Sequence, residues 1–182
     1  MTYLPPLVQA LLALVVIVAA VFDYSVRRVP NWLTLSGVLA GIGLNSFLFE
    51  TAGLWISLKG LGLALLIYVP LYLLRAVSGG DVKLMAAVGA IAGPANWLGI
   101  MLITSIFGGI AAIVLVAFKH RVPRTIENIW GILTSLAHGK TPFESNPQLD
   151  VRSEQAVRLP HAVVIAFGTI AFLLVSRAWA AR

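Results

Sequence analysis

The sequence predicts an all-α polytopic membrane protein, a bundle of about six transmembrane helices with a cytoplasmic amphipathic segment. Three observations carry that fold class. Apolar residues make up 59% of the chain and charged ones 11%, against roughly 25% charged in a soluble globular domain, and the mean hydropathy is +0.94. The apolar residues are gathered into runs, most of them near the roughly 20 residues that carry a helix across hydrocarbon. The cations fall mostly in alternate segments between those runs, as a positive-inside topology requires.

The runs lie near 5–22, 33–49, 54–74, 82–93, 95–118 and 159–176. No cation precedes the first and no A-x-A cleavage site follows it before Asp23, so it is expected to stay in the mature protein and not to act as a cleaved signal peptide. The second carries Gly37 and Gly41 and the fourth Gly89 and Gly93, a small-residue spacing that suits close helix packing. Lys59 falls near the outer end of the third run, where its stem can snorkel to the interface. The fourth run is short, because residues 82–93 rise only about 18 Å as a helix against about 30 Å of hydrocarbon. Asp81, at its start, is therefore expected below the membrane surface. After the fifth run comes the one long polar stretch, 119–158. Within it "RTIENIWGILTSLAH" sets Ile126, Ile129, Trp130, Leu133 and Leu136 at helical spacing, which fits either an amphipathic helix on the membrane surface or a connector packed on the bundle. "TPFESNPQLD" has two prolines and no period and reads as loop. With no internal repeat, residues 1–182 read as a single membrane-embedded domain, and 119–158 as a cytoplasmic loop within it.

The net charge is +6, but the cations are not interleaved with aromatics on a polar face, so the expected partner is a lipid bilayer and not nucleic acid. Placing the first loop in the cytoplasm puts Arg27, Arg28, Arg75, Lys83, Lys119, Arg121, Arg124, Lys140, Arg152 and Arg158 on that side, ten of the thirteen cations. Apart from Lys59, only Arg177 and Arg182 remain for the far side, and both termini are then external. The chain has no cysteine, which excludes disulfides, a cysteine nucleophile and any cysteine-based zinc module. His120, His138 and His161 are too scattered for metal-ligand spacing. No metal or other cofactor is expected.

Of the seven acidic residues, only Asp23 and Asp81 abut hydrophobic runs on the predicted cytoplasmic side. A carboxylate drawn into hydrocarbon costs roughly 2.5–3.5 kcal/mol at mid-bilayer, so such residues are functional candidates by default. Each also has a purely structural reading. Asp81 follows two glycines at a helix start and would serve as an N-cap. Asp23 sits at the C-terminal end of the first run, where its charge opposes the helix dipole, and Arg27 one turn on would pair with it. If the bundle brings the two carboxylates to one cavity, they cannot both ionise easily and share a proton. Peptide hydrolysis needs that division of labour: the ionised carboxylate takes a proton from the attacking water while the protonated one donates to the scissile carbonyl oxygen. A proton relay would use the same pair.

At these residues the sequence resembles the type IV prepilin leader peptidases, membrane aspartic peptidases with a GxGD motif. "DYSVRRVPNWLTL" (23–35) is similar to the family's first signature and "GGDVKLMAAVGAIAGP" (79–94) to its second. The resemblance implies that Asp23 and Asp81 are the catalytic pair. Pro30 and Asn31 match the step into the second helix and Lys83 the lysine after the second aspartate, while Gly79 and Gly80 keep the flexibility of the motif. Ser78 stands where the family has its first glycine. Read from the residues alone, Asn31 is a plausible N-cap, Lys83 a positive-inside anchor, and the glycine pair a flexible bend that aims Asp81.

Larger members of that family carry a cytoplasmic region with paired cysteines, associated with N-methylation. A cysteine-free chain with a short first loop, 24–36, resembles the peptidase-only branch that serves Flp/Tad-type pili. The implied activity is cleavage of the basic leader of a prepilin or pseudopilin at the cytoplasmic face of the inner membrane. The alternatives from other classes are a small proton-coupled transporter and a non-enzymatic membrane protein of pilus or secretion assembly.

Overall fold

The computed structural model describes residues 4–118, 127, 129–132, 134 and 161–180. Four helical elements form it: α1 (Pro6–Val26), α2 (Asn31–Leu73), α3 (Gly79–Phe118) and α4 (His161–Ala180). All four are long and apolar enough to cross a membrane, and among the described residues there is no strand. The chain is an α-helical multi-pass membrane protein.

α1 opens with proline in its first turn and closes at Arg27, which adopts a left-handed conformation (φ 53°) and donates its N–H to the Asp23 carbonyl at 2.9 Å. That αL cap stops the helix, and Pro30 serves as N-cap of α2. Along α1 the buried residues Val8, Leu12, Val15, Val16 and Ala19 recur every three or four positions, one face turned to the bundle.

A straight α2 of 43 residues would be about 64 Å long, twice the hydrocarbon thickness. It is not straight. Glu50 leaves helical geometry (φ 52°, ψ −134°), and Asn45 Nδ2 donates to Ser57 Oγ at 2.8 Å, although residues twelve apart in a straight helix stand about 18 Å apart. α3 turns in the same way at Gly93 (φ 73°, ψ 169°), followed by Pro94, and Trp97 Nε1 reaches back to the Met85 carbonyl at 3.0 Å. The expected separate second and third runs, and fourth and fifth, are thus joined into two continuous helical elements. The reason is the tightness of each reversal, since helical geometry resumes on both sides of a single residue.

The inner limb of α3 is the centre of the bundle. Every residue from Leu84 through Gly93 is buried, as a helix apolar on all sides demands. Its backbone is approached closely by α2: a Cβ on Gly60 would collide with the Gly89 carbonyl oxygen, and one on Gly41 would stand 2.7 Å from Ile91 Cγ1. All four glycines read as packing positions face neighbours from other limbs, and Gly93, where a Cβ would stand 2.6 Å from Ile56 Cγ2, also has a positive φ.

The reversal at Gly93 orphans carbonyls. Ala90 O has no helical partner because residue 94 is proline and lacks an N–H, and Ile91 O lies beside the same break. Asn45 Nδ2, buried in the opposing limb, lies 3.2 Å from Ala90 O and 3.0 Å from Ile91 O. α1 and α4 run antiparallel: Arg177 Nε donates to Gln9 Oε1 at 2.6 Å near one end, and Ala162 N–H meets Asp23 at the other. The amphipathic segment expected over 124–138 falls largely outside the described residues, as does most of the 119–158 loop; Glu127, 129–132 and Thr134 are helical, with Ile129 and Trp130 exposed.

Candidate active site

Asp23 occupies the last turn of α1, half-buried. Its Oδ2 accepts a hydrogen bond from the Ala162 backbone N–H at 2.9 Å. The expected ion pair with Arg27 is therefore not what holds the carboxylate.

Asp81 is the third residue of α3 and 5% exposed. It is not the N-cap. Ser78 takes that role: the Asp81 N–H donates to Ser78 Oγ at 3.3 Å, while Asp81 Oδ2 accepts the Ser78 N–H at 3.0 Å. The two residues form a reciprocal capping box in which aspartate stands in the usual glutamate position. Both carboxylates thus have one oxygen pinned by a backbone N–H at the start of a helix, where anions are stabilised. Neither Oδ1 makes a hydrogen bond that would hold it to another described residue.

The other motif residues are placed as follows. Gly79 and Gly80 lie in the first turn of α3 with ordinary φ, so the bend expected there is absent. A Cβ on Gly80 would meet Ser78 Oγ at 3.5 Å and Val29 Cγ2 at 3.6 Å, both ordinary contacts. Asn31 does not cap α2, a role taken by Pro30; its Oδ1 instead accepts a hydrogen bond from Lys83 Nζ at 2.9 Å. That bond ties the start of α2 to the start of α3, so Lys83 does more than anchor the membrane face. Tyr68, part-buried, stands edge-on to Trp97 at a centroid distance of 6.0 Å.

The contact of Ala162 with Asp23 and the capping role of Ser78 carry no signal in the sequence.

What these residues define is a membrane-embedded helical bundle with two carboxylates at helix ends, each anchored through one oxygen by a backbone N–H. The chain belongs to the type IV leader peptidase family, whose sequence model matches residues 10–113, a span that contains both aspartates. It is a peptidase of the membrane by that membership. Neither a curated protein nor a solved structure matches the chain.

Proposed function

We propose that the protein is an aspartic endopeptidase that removes the basic leader of type IV prepilins, of the Flp/Tad-like kind, at the cytoplasmic face of the inner membrane, with Asp23 and Asp81 as its catalytic pair. The observation that carries this is the shared anchoring of the pair: each Oδ2 accepts a hydrogen bond from a backbone N–H at the start of a helix. In that arrangement one Oδ1 takes a proton from water as the oxygen attacks the scissile carbonyl. The other carboxyl, protonated, donates to the carbonyl oxygen; the tetrahedral intermediate then expels the amine, which leaves with a proton from the dyad.

The reversals at Glu50 and Gly93 support six membrane crossings built from four helical elements. Both termini then face away from the dyad. The lack of cysteine supports a peptidase without the methylating region. Purified protein in detergent, mixed with a prepilin and resolved by product size, tests the assignment. Asp23→Asn and Asp81→Asn are each expected to lower cleavage by at least about 100-fold, within the range of a lost acid–base group, while inserting normally. Wild-type turnover by either variant overturns the pair, and proton flux without cleavage in the wild type points instead to a relay.

A further inference from the structure

The dipole problem at Asp23 has a structural answer outside the family match. A carboxylate in the last turn of its own helix faces partial negative charge. α4, whose residues lie beyond 10–113, begins alongside it and brings the opposite end of a helix dipole. Ala162 is the second residue of α4 and fully buried. Its N–H is one of the first four of a helix and so has no acceptor within that helix; the acceptor is Asp23 Oδ2 at 2.9 Å. The register of α4 against α1 is also fixed at the far end, by the 2.6 Å bond between Arg177 and Gln9. A slide of α4 would break both bonds together.

We propose that Ala162 is a positioning residue of the dyad: its backbone N–H fixes Asp23 Oδ2 and leaves Oδ1 to meet Asp81 and the attacking water. The segment that defines the family is then an incomplete catalytic site, finished by the helix that follows the long polar stretch. This inference rests on Asp23 and Asp81 being the catalytic pair.

Proline at 162 deletes the donor while remaining compatible with a first helical turn, and glycine keeps the donor while removing the methyl. In the full chain in detergent, with a prepilin as substrate, Ala162→Pro is expected to lower kcat by about 100-fold, the scale of a misplaced catalytic group, with KM nearly unchanged. Ala162→Gly is expected to retain kcat within about threefold, even where it melts at a lower temperature than Ala162→Pro. Amide hydrogen exchange gives a second readout that does not depend on turnover or on the proline variant folding. The Ala162 amide should be protected in the wild type and exchange rapidly in Asp23→Ala. Wild-type kcat in Ala162→Pro, or equal exchange at Ala162 with and without the Asp23 carboxylate, overturns the proposal. If Asp23→Asn abolishes cleavage while either of those results is found, the dyad stands and only the role of Ala162 falls; if Asp23→Asn cleaves normally, the dyad itself falls.

Discussion

Ser78 separates two jobs that a single residue performs at the start of α3. Its hydroxyl accepts the Asp81 N–H, which stabilises the helix, and its backbone N–H holds Asp81 Oδ2, which orients the carboxylate. Only the first job belongs to the side chain. Ser78→Ala is therefore expected to lower stability by about 1 kcal/mol, the usual value of an N-cap hydroxyl, and Ser78→Gly by only a few tenths, while both keep near-wild-type cleavage because every residue but proline offers the N–H. Thermal midpoints in detergent alongside a gel cleavage assay check both halves; loss of cleavage in Ser78→Gly would mean that the hydroxyl itself aims Asp81. The aspartates were legible in the sequence because a carboxylate beside hydrocarbon is costly and therefore rare. Their anchors were not, because backbone N–H groups carry no residue signature and Ala162 becomes a partner only when residues 139 positions apart meet.

Among the elements, the inner limb of α3 was readable as short and apolar, and its burial on all sides explains why small residues fill it. Close approach of the α2 backbone at Gly60 and Gly41 leaves no room for side chains there. What the runs did not reveal is that the reversal at Gly93 needs a donor from elsewhere. Asn45 supplies it, a lone amide inside an otherwise apolar run, and its significance depends on the fold-back at Glu50 bringing that limb against Ala90 and Ile91. Asn45→Leu leaves two buried carbonyls without their donor and Ser57 without a partner on that side. An unsatisfied buried polar group costs about 1–3 kcal/mol, so the variant is expected to lose at least that much stability, seen as a lower thermal midpoint. Cleavage at a temperature where it remains folded should persist, since Asn45 bonds Ala90 and Ile91, nine and ten residues along α3 from Asp81. Unchanged melting of Asn45→Leu would show that the bent backbone satisfies itself.

At the scale of the whole molecule, the bonds between α1 and α4 say which ends of the chain share a side. Gln9 and Arg177 meet near the start of α1 and the end of α4, while Asp23 and Ala162 meet at their opposite ends. The two termini of the described bundle therefore emerge on one face and the dyad lies toward the other, however many crossings are counted between them. The proposed orientation in the bilayer rests on charge. Among the described residues Arg27, Arg28, Arg75 and Lys83 lie at the end that carries Asp23 and Asp81, against Arg177 at the other. Positive-inside bias acts through short loops near the span ends, and on the dyad side those are 27–30 and 74–78, both of which carry arginine. A reporter fused after Arg124 is accordingly expected to behave as cytoplasmic, and one after Arg182 as external, with a fusion ahead of α1 agreeing with the latter. Opposite signals from the two termini would contradict the antiparallel pairing of α1 and α4. Agreement between the termini with both reported cytoplasmic would leave the bundle intact but turn the dyad outward, where a cytoplasmic leader peptide could not reach it.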